Sequence, residues 1–336
     1  MRIVRVLSTV LVLHVGLVCS AKRAVALPLM SGFQVTEYAS VTDPMGITFD
    51  SSGVMYVGRD NRGSGGGSND PVAIQRVGAG GAPVTSHGSS LSDPDAVLFD
   101  VSGGISGHAG SVLVGGRANA AGTEAHISVV RPDQSTAVLF GPTTDYSNVS
   151  SLAFDHNGRL LFADHDYLIG SHSVWQTTGG PPTKLMTLPG TAAPYDIAVD
   201  NGNRLFISSS DGKIRVYDEW GLLIDADFAS GLGTASPIAF GAGGPFGTDL
   251  YAINGAAELV RFDGFGNQTL IGSGFASQDR DIEFGPDKAL YVSELYGDHV
   301  LRIDQIPEPS TLSLGFLALL RLAVSARRRR SQPRRL

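Results

Sequence analysis

Acidic side chains and one histidine recur at matching places along this 336-residue chain. Asp196 and Asp281 each stand at the start of a short apolar segment, whereas Asp164, His165 and Glu294 each stand at the end of one. Carboxylate oxygens are ligands that Ca²⁺ prefers, and a Ca²⁺ ion takes about six to eight of them. A histidine beside carboxylates can also transfer protons. The pattern therefore suggests either a Ca²⁺ site built from Asp164, Asp196, Asp281 and Glu294, or a proton-transfer pair that includes His165.

A structural role for the same residues is the competing interpretation. Aspartate commonly caps tight turns, and a histidine at a strand end can hydrogen-bond between neighbouring sheets. No two of the sequence repeats described below carry a possible ligand at both of these positions. The sequence therefore favours a body that binds a partner without catalysis, and it leaves a metal or catalytic role as the alternative.

The charge of the chain is distributed unevenly. Residues 27–306 contain 14 Lys and Arg against 31 Asp and Glu, a formal net charge of −17, whereas the whole chain carries −7. So acidic a surface repels phosphate backbones, which excludes nucleic acid as a partner and favours cations or a neutral polymer. The single cysteine is Cys19. Because it lies in a segment predicted to be removed, we expect neither a disulfide nor a thiolate metal site.

Six repeats fill the body of the chain. Each contains an apolar-x-apolar segment, a turn with Gly or Asp, and a second apolar segment, as in residues 43–58 and 280–294. Alternation with a period of two between turn residues indicates antiparallel hairpins. The residues that end the first segments follow one another at intervals of 50, 55, 45, 41 and 44; they are Asp50, Asp100, Asp155, Asp200, Gly241 and Gly285.

This spacing predicts the architecture. One four-stranded sheet per roughly 45 residues is typical of a β-propeller blade. The sequence thus predicts an all-β, six-bladed β-propeller over residues 27–306. The last repeat has room for only three strands, while residues 32–40 precede the first repeat as a lone strand. We expect that lone strand to complete the sixth sheet, because pairing there would remove an exposed strand edge.

The amino-terminal residues have the order of a secretory signal peptide. Arg2 and Arg5 precede an apolar run over residues 6–18, and the small residues Ala24 and Ala26 follow it. A positive region, a short apolar region and a small-x-small cleavage site are the three parts of such a signal. We therefore assign residues 1–26 as a signal peptide and expect export, with cleavage after Ala21 as the alternative.

The carboxyl-terminal residues 307–336 have three parts of their own. Pro307, Glu308 and Pro309 precede an apolar stretch over residues 312–326, which Arg321 interrupts. As a helix this stretch would measure about 22 Å, against about 30 Å for the hydrocarbon core of a bilayer. That length predicts a transient insertion into the inner membrane. A basic cluster would hold the tail on the cytoplasmic side; it consists of Arg327, Arg328, Arg329 and Arg330.

The three-part tail resembles the PEP-CTERM sorting signal of Gram-negative bacteria. The resemblance covers residues 307–336, and Arg321 departs from it because the apolar part of that signal is usually uninterrupted. It implies that an exosortase-type processing protease recognises the motif, cleaves nearby and passes the protein to the cell surface or the extracellular matrix. An ordinary carboxyl-terminal membrane span is the alternative.

The repeats at Tyr195 and Arg280 resemble NHL-type blades, and gluconolactonase-like proteins and quinone-dependent sugar dehydrogenases are similar. The gluconolactonase resemblance implies metal-ligating Asn or Asp two residues before the first strand of several blades. Only Asp95 matches that pattern, which disfavours a lactonase of this type. The positions compared are Met45, Asp95, Ser150, Tyr195, Ser236 and Arg280.

The dehydrogenase resemblance implies a histidine base with cationic residues that hold a quinone, for which His165 and Arg280 are the candidates. Taken together, the sequence predicts an exported propeller, at the cell surface or in the extracellular matrix, that binds a surface polysaccharide or a protein partner. The alternative is an extracytoplasmic sugar-acting enzyme, either metal-dependent and lactonase-like or quinone-dependent and dehydrogenase-like.

Overall fold

The chain forms six antiparallel sheets of four strands each within the residues that the structure describes. This computed structural model describes residues 27–28, 32–60, 71–119, 121–165, 172–275 and 279–306. Five of the sheets use four consecutive strands, so the chain completes one sheet before it begins the next. We number the sheets as blades 1 to 6, in the chain order of their first strands.

Blades 1 to 3 occupy the first half of the body. Blade 1 contains β2 Pro44–Phe49, β3 Met55–Arg59, β4 Val72–Val77 and β5 Val84–Leu91. Blade 2 contains β6 Ala96–Asp100, β7 Ser111–Arg117, β8 Ala125–Val130 and β9 Thr136–Thr143. Blade 3 contains β10 Val149–Phe154, β11 Leu160–His165, β12 His172–Thr177 and β13 Thr183–Thr187.

Blades 4 to 6 occupy the second half. Blade 4 contains β14 Pro194–Val199, β15 Leu205–Ser209, β16 Lys213–Tyr217 and β17 Leu223–Ala229. Blade 5 contains β18 Ile238–Phe240, β19 Leu250–Ile253, β20 Glu258–Phe262 and β21 Gln268–Ser273. Blade 6 contains β22 Asp279–Phe284, β23 Leu290–Glu294, β24 His299–Gln305 and β1 Phe33–Ser40. Short 3₁₀ turns lie at Gly244–Phe246 and Leu295–Gly297.

The amino-terminal strand β1 closes the ring, as the sequence predicts. It pairs antiparallel with β24, with Phe33 opposite Gln305 and Ser40 opposite His299. The sixth sheet therefore combines three strands from the end of the body with one from its beginning. Without β1, the backbone of β24 would present an unpaired edge to solvent.

The first strands of the six blades surround the axis of the ring. Each packs against the first strand of the next blade, in the order β2, β6, β10, β14, β18, β22 and back to β2. Their starting ends and the ends of the second strands meet at one face, which we call the mouth face. The turns between first and second strands and between third and fourth strands lie at the other, which we call the turn face.

Aspartates in the turns explain the regular spacing of the repeats. The Asp155 Oδ1 atom accepts hydrogen bonds from the backbone N–H groups two and four residues later, at 3.0 and 2.8 Å. Asp50 and Asp200 bond in the same way in their own blades, at distances between 2.8 and 3.0 Å. A short polar side chain that satisfies two turn N–H groups fixes a tight connection. These three aspartates are therefore turn caps.

The hydrophobic core is divided among the blade interfaces. Six clusters of buried residues occur in the described chain, and each lies between two neighbouring blades. The cluster between blades 3 and 4, for example, joins Leu161 to Ile197 and Leu205. A body of 280 residues is long for one compact core, and division among repeats resolves that difficulty. Among the described residues, no helix is long and apolar enough to cross a bilayer.

Candidate functional site

A cavity of about 600 Å³ opens at the centre of the mouth face. The first strands of the blades contribute most of its wall, and the ends of β3, β7 and β11 contribute Asp60, Arg117 and His165. Among the residues that the structure describes, its lining contains six carboxyl groups and one cation, Arg117. A central, polar and acidic cavity is therefore the main candidate for a ligand site on this molecule.

Asp196 lies in this cavity and joins three blades. Its Oδ1 atom accepts a 2.7 Å hydrogen bond from Ser151 Oγ of blade 3. Its Oδ2 atom accepts a 2.7 Å bond from the backbone N–H of Ile238, in blade 5. Burial raises the pKa of Asp196. The hydrogen bonds act in the opposite direction, but the effect of burial is larger. Both oxygens of this carboxyl are thus used to hold neighbouring blades.

Asp281 repeats this arrangement between blades 6 and 1. Its Oδ2 atom accepts a 2.7 Å hydrogen bond from the backbone N–H of Ile47. Burial, and then repulsion from Asp196, raise its pKa well above the usual range of an aspartate. The two carboxyl groups are therefore close enough to influence each other, and each also has a structural partner.

Glu283 is a cavity residue that the sequence interpretation missed. It follows Asp281 by two positions on β22, so both side chains point to the same side of the strand. Burial, with a further contribution from Asp196, raises the pKa of Glu283 to about 8. The signal in the sequence was the alternation Asp-Ile-Glu. It identifies Glu283 only once the cavity-facing side of the strand is known.

Asp164 and Glu294 lie away from the cavity wall. The Asp164 Oδ1 atom accepts hydrogen bonds from the backbone N–H groups of Ser147, at 3.0 Å, and Asn148, at 3.2 Å. Glu294 Oε2 hydrogen-bonds to His299 Nε2 on the adjacent strand, and this bond raises the pKa of His299. The structure therefore brings Asp196 and Asp281 together around the axis, and places Asp164 and Glu294 elsewhere.

The fit of a metal ion to these residues follows from the same geometry. In the described part of the chain, no group of three or more His, Cys, Asp or Glu side chains could hold a metal ion. The Ca²⁺ site suggested by the sequence is thus not assembled by its four carboxylates in this arrangement. We derive no chemical step through a metal.

His165 and Asn148 form one part of the cavity wall. The Nδ1 atom of His165 lies 3.0 Å from the carbonyl oxygen of Pro194, so Nδ1 carries a proton and donates it. The ring also packs edge-on against Tyr195, with centroids 5.5 Å apart. Beside them, Asn148 is only 7% exposed, and its Oδ1 atom has no hydrogen-bond partner. A buried amide oxygen without a hydrogen-bond partner is costly.

Asp93 and Arg117 complete the wall at blade 2, and neither was identified from the sequence. The backbone N–H of Arg117 donates to Asp93 Oδ2 at 3.4 Å, and the guanidinium Nε lies 3.9 Å from the same oxygen. Burial raises the pKa of Asp93 to about 6, although Arg117 opposes that shift. Arg117, the one cation among the described wall residues, is therefore already paired with a carboxyl group.

Several residues singled out in the sequence lie outside the described residues. They include the signal peptide over 1–26, the tail over 307–336 and the side chain of Arg280. The sorting motif and the basic cluster belong to that tail; they are Pro307, Glu308, Pro309, Arg327, Arg328, Arg329 and Arg330. These assignments remain predictions from the sequence.

Comparison with known proteins supports the propeller fold. Residues 182–218, which include most of blade 4, match the WD domain, G-beta repeat family. No curated protein matches the chain. Among solved structures, a gluconolactonase from Xanthomonas campestris is 15% identical with a TM-score of 0.62, covering 86% of this chain and 96% of its own.

Two further solved structures have the same architecture. A putative glucose dehydrogenase from Thermus thermophilus is 17% identical with a TM-score of 0.57, covering 81% of this chain and 100% of its own. An auxiliary nutrient binding protein from Bacteroides thetaiotaomicron is 13% identical with a TM-score of 0.59, covering 81% of this chain and 76% of its own. At these identities the likeness shows the propeller fold alone, and the named activities belong to those proteins.

Proposed function

We propose that this protein is an exported, non-catalytic propeller that binds a surface polysaccharide or a protein partner at its central cavity. The secretory signal over residues 1–26 and the PEP-CTERM-like tail over residues 307–336 support export and processing by an exosortase-type protease. The tail would insert briefly into the inner membrane before the body reaches the cell surface or the extracellular matrix.

The observation that carries the binding proposal is the side chain of Asn148. Its amide oxygen is buried in the cavity wall and lacks a hydrogen-bond partner. Leaving such a group unsatisfied costs about 1–3 kcal/mol, which a ligand that donates a hydrogen bond would recover. By contrast, Asp196 and Asp281 use their oxygens to join blades. The wall thus offers a binding contact while its central acids stabilise the fold.

The charge of the cavity limits the class of ligand. In the described part of the wall, carboxyl groups outnumber cations, and the cation present there, Arg117, faces Asp93. Residues 27–306 carry a formal net charge of −17, so a uronic acid or a sulfated sugar would be repelled. The hydroxyl groups of a neutral sugar can hydrogen-bond to the carboxyl and amide oxygens of the wall. We therefore propose a neutral or amino-substituted sugar unit as the part of the polysaccharide that enters the cavity.

A glycan array tests this proposal. The full chain is applied to immobilised neutral, amino-substituted and uronic acid oligosaccharides, beside Asn148→Ala and the turn-face control Asn267→Ala. We expect binding to neutral or amino-substituted glycans, weakened about tenfold to a hundredfold by Asn148→Ala. Asn267→Ala should bind like the wild type. Equal binding by both variants, or a preference for uronic acids, would contradict the proposed site.

Cell fractionation tests the export part of the proposal. We expect the mature body at the cell surface or in the medium, without residues 1–26 and without the arginine cluster. Replacement of Pro307, Glu308 and Pro309 by alanine should leave the precursor in the inner membrane. Recovery of the intact 336-residue chain from the cytoplasm would overturn the export proposal.

A sugar-acting enzyme is the second candidate, and Glu283 is the observation that favours it. A carboxyl group with a pKa of about 8 is protonated at neutral pH and can act as a general acid. Thermal melting with Ca²⁺ and with EDTA tests the metal-dependent form. Ca²⁺ at 100 times its Kd would add about 2.7 kcal/mol to the unfolding free energy. An absorbance scan after quinone addition tests the quinone-dependent form.

A further inference from the structure

Exposed apolar side chains cluster on one arc of the turn face. They occur in the turns between third and fourth strands, at residues 218–222 in blade 4 and 263–267 in blade 5. Trp220 is 71% exposed and Phe265 is 89% exposed, and Leu222 beside Trp220 is also exposed. At the same position of blade 6, β24 ends and the described chain leaves the body at exposed Ile306. We call Trp220, Leu222, Phe265 and Ile306 the apolar arc.

The corresponding turns of blades 1 to 3 lack such side chains. They contain the sequences Gly-Ala-Gly-Gly-Ala at residues 78–82, Arg-Pro-Asp-Gln-Ser at 131–135 and Thr-Gly-Gly-Pro-Pro at 178–182. Five equivalent turns and the chain exit of blade 6 thus divide into a polar or small half and an apolar half, although the turn between the first and second strands of blade 2 also exposes Val101 on this face. The apolar half is the one from which the chain continues towards its carboxyl-terminal segment.

The two aromatic turns are held rigidly. The Asp218 carboxylate accepts the backbone N–H groups of Trp220 and Leu222 at 2.9 and 2.8 Å, and Asp263 caps its own turn in the same way. Gly266, with φ +78°, brings the blade 5 turn so close to blade 4 that a Cβ atom there would lie 1.9 Å from the Phe228 carbonyl oxygen. The Arg159 guanidinium lies 5.9 Å from the centroid of the Trp220 ring, yet most of that ring and most of the Phe265 ring are exposed. Rigid aromatics that remain exposed point to a role in contact with a partner.

The course of the chain identifies that partner. The backbone N–H of Ile306 donates to the carbonyl oxygen of Gly32 at 2.7 Å, which fixes the exit point on the turn face. Only residues 307–311 separate Ile306 from the apolar stretch that begins at Leu312. Six residue steps span at most about 20–22 Å even when fully extended. With the apolar stretch inserted, the turn face cannot lie far from the bilayer.

We propose that the apolar arc rests on the lipid surface while the carboxyl-terminal segment is inserted in the membrane, an inference that depends on the tail insertion proposed above. Trp and Phe side chains at the level of the headgroups are typical of proteins that lie on a bilayer. The docked face would hold the mouth face away from the membrane and towards its ligand.

Tryptophan fluorescence tests this orientation directly. The chain contains two tryptophans, of which Trp175 is 8% exposed and Trp220 is 71% exposed. The full chain is reconstituted into phosphatidylcholine vesicles made with or without brominated acyl chains, and the Trp220 signal is the difference between wild type and Trp220→Phe. We expect bromine to reduce that signal at least about twofold, because interfacial side chains enter about 5–10 Å into the bilayer.

Tryptophan probes at two other positions test whether quenching depends on the face of the body that carries the probe. In the Trp220→Phe background, Phe265→Trp places the probe on the apolar arc, and Tyr296→Trp places it on the mouth face, where Tyr296 is 56% exposed. Bromine should quench the first probe and not the second. Equal quenching of both probes would contradict a fixed orientation and overturn the proposal.

Vesicle flotation separates the docking inference from the tail insertion on which it depends. A chain that floats with the vesicles and shows quenched Trp220 supports both. A chain that floats while Trp220 stays unquenched supports the tail insertion and overturns the docking of the apolar arc. If Trp220 emission instead changes with protein concentration, a second copy of the chain covers the apolar arc, and the docking is overturned in that case too. A chain that does not float overturns both proposals.

Discussion

Asp196 and Asp281 occupy the same place in blades 4 and 6, and each carboxyl group accepts the backbone N–H of the next blade around the ring. Ser151 makes the corresponding contact from blade 3 to Ile197 at 3.3 Å. A blade boundary leaves backbone groups that no strand pairing satisfies, and these side chains satisfy them. At the scale of the residue, therefore, the conspicuous acids of the repeats serve first as links between blades.

Removing such a link should destabilise the fold. We expect Asp281→Ala to lower the unfolding free energy by about 1–3 kcal/mol at pH 5, because the N–H of Ile47 loses its acceptor. Asp281→Asn keeps an acceptor oxygen and should cost less. Denaturant unfolding measures both, with Asp145→Ala, at an exposed aspartate, as the control expected within about 0.5 kcal/mol of the wild type. A loss no larger than that of the control would refute the linking role.

The acids of the cavity should also make stability depend on pH. Burial raises the pKa of Glu283 to about 8, above the ordinary glutamate value of 4.5, so the folded state holds its proton longer than the unfolded state. Stability should therefore decrease as the pH rises from about 5 to about 8. Glu283→Gln cannot ionise, and we expect it to melt at a higher temperature than the wild type at pH 8 but not at pH 5. Identical melting curves at pH 8 would contradict this.

The sequence located only part of the cavity because neighbouring strand residues point to opposite faces. Asp164 and His165 end the same strand, yet His165 lines the cavity while Asp164 caps the loop before Val149. From the sequence alone, the side that faces the axis was undetermined. Asp164 was selected for this reason. Glu283 was missed because only residues at the starts and ends of the strands were considered, and Glu283 lies two positions inside β22 from Asp281. Glu294 was selected as a strand-end acid, but its partner is His299 in its own blade.

At the scale of the element, β1 differs most from the repeats, since it comes from the opposite end of the body to its partner β24. Val35 in its centre is buried against blades 5 and 6. The hairpins were predictable because apolar alternation and turn residues act locally. The position of β1 was predictable because the last repeat lacked a fourth strand. The Gly-rich residues 61–70 and the links before β12 and β22 lie outside the described residues.

Detaching β1 should open the ring. We expect Val35→Asp to cost at least about 3 kcal/mol, since it buries an unpaired charge, and to promote association through the freed edge of β24. Gln34→Asp alters the exposed neighbour on the same strand and should stay within about 0.5 kcal/mol of the wild type. Denaturant unfolding and analytical centrifugation measure the two effects. Similar behaviour of the variants would show that β1 does not close the ring.

At the scale of the whole molecule, stability is shared among six interfaces that form a continuous circle. No blade has a core of its own, because each cluster of buried residues draws on two neighbouring blades. Loss of one interface therefore leaves both adjacent blades incompletely packed. A circle of this kind is expected to unfold as one cooperative unit.

Leu205 provides the test of this cooperativity. It is fully buried between blades 3 and 4, and we expect Leu205→Ala to cost about 2–5 kcal/mol. The whole body should still unfold in a single calorimetric transition, with equal calorimetric and van't Hoff enthalpies. Leu223→Ala, at an exposed position on β17, is the control. Two separate transitions in Leu205→Ala would mean that the halves of the ring unfold independently.

The pairing of β1 with β24 sets an order of events for a chain that is threaded across a membrane from its amino terminus. Phe33 emerges early, but its partner Gln305 follows only when nearly the entire body has passed. Until then the ring has at most five complete blades, and the sixth lacks its fourth strand. If the chain is exported as proposed, closure of the ring would coincide with the end of translocation. A chain arrested partway would then expose the unpaired edge of a strand to quality-control proteases.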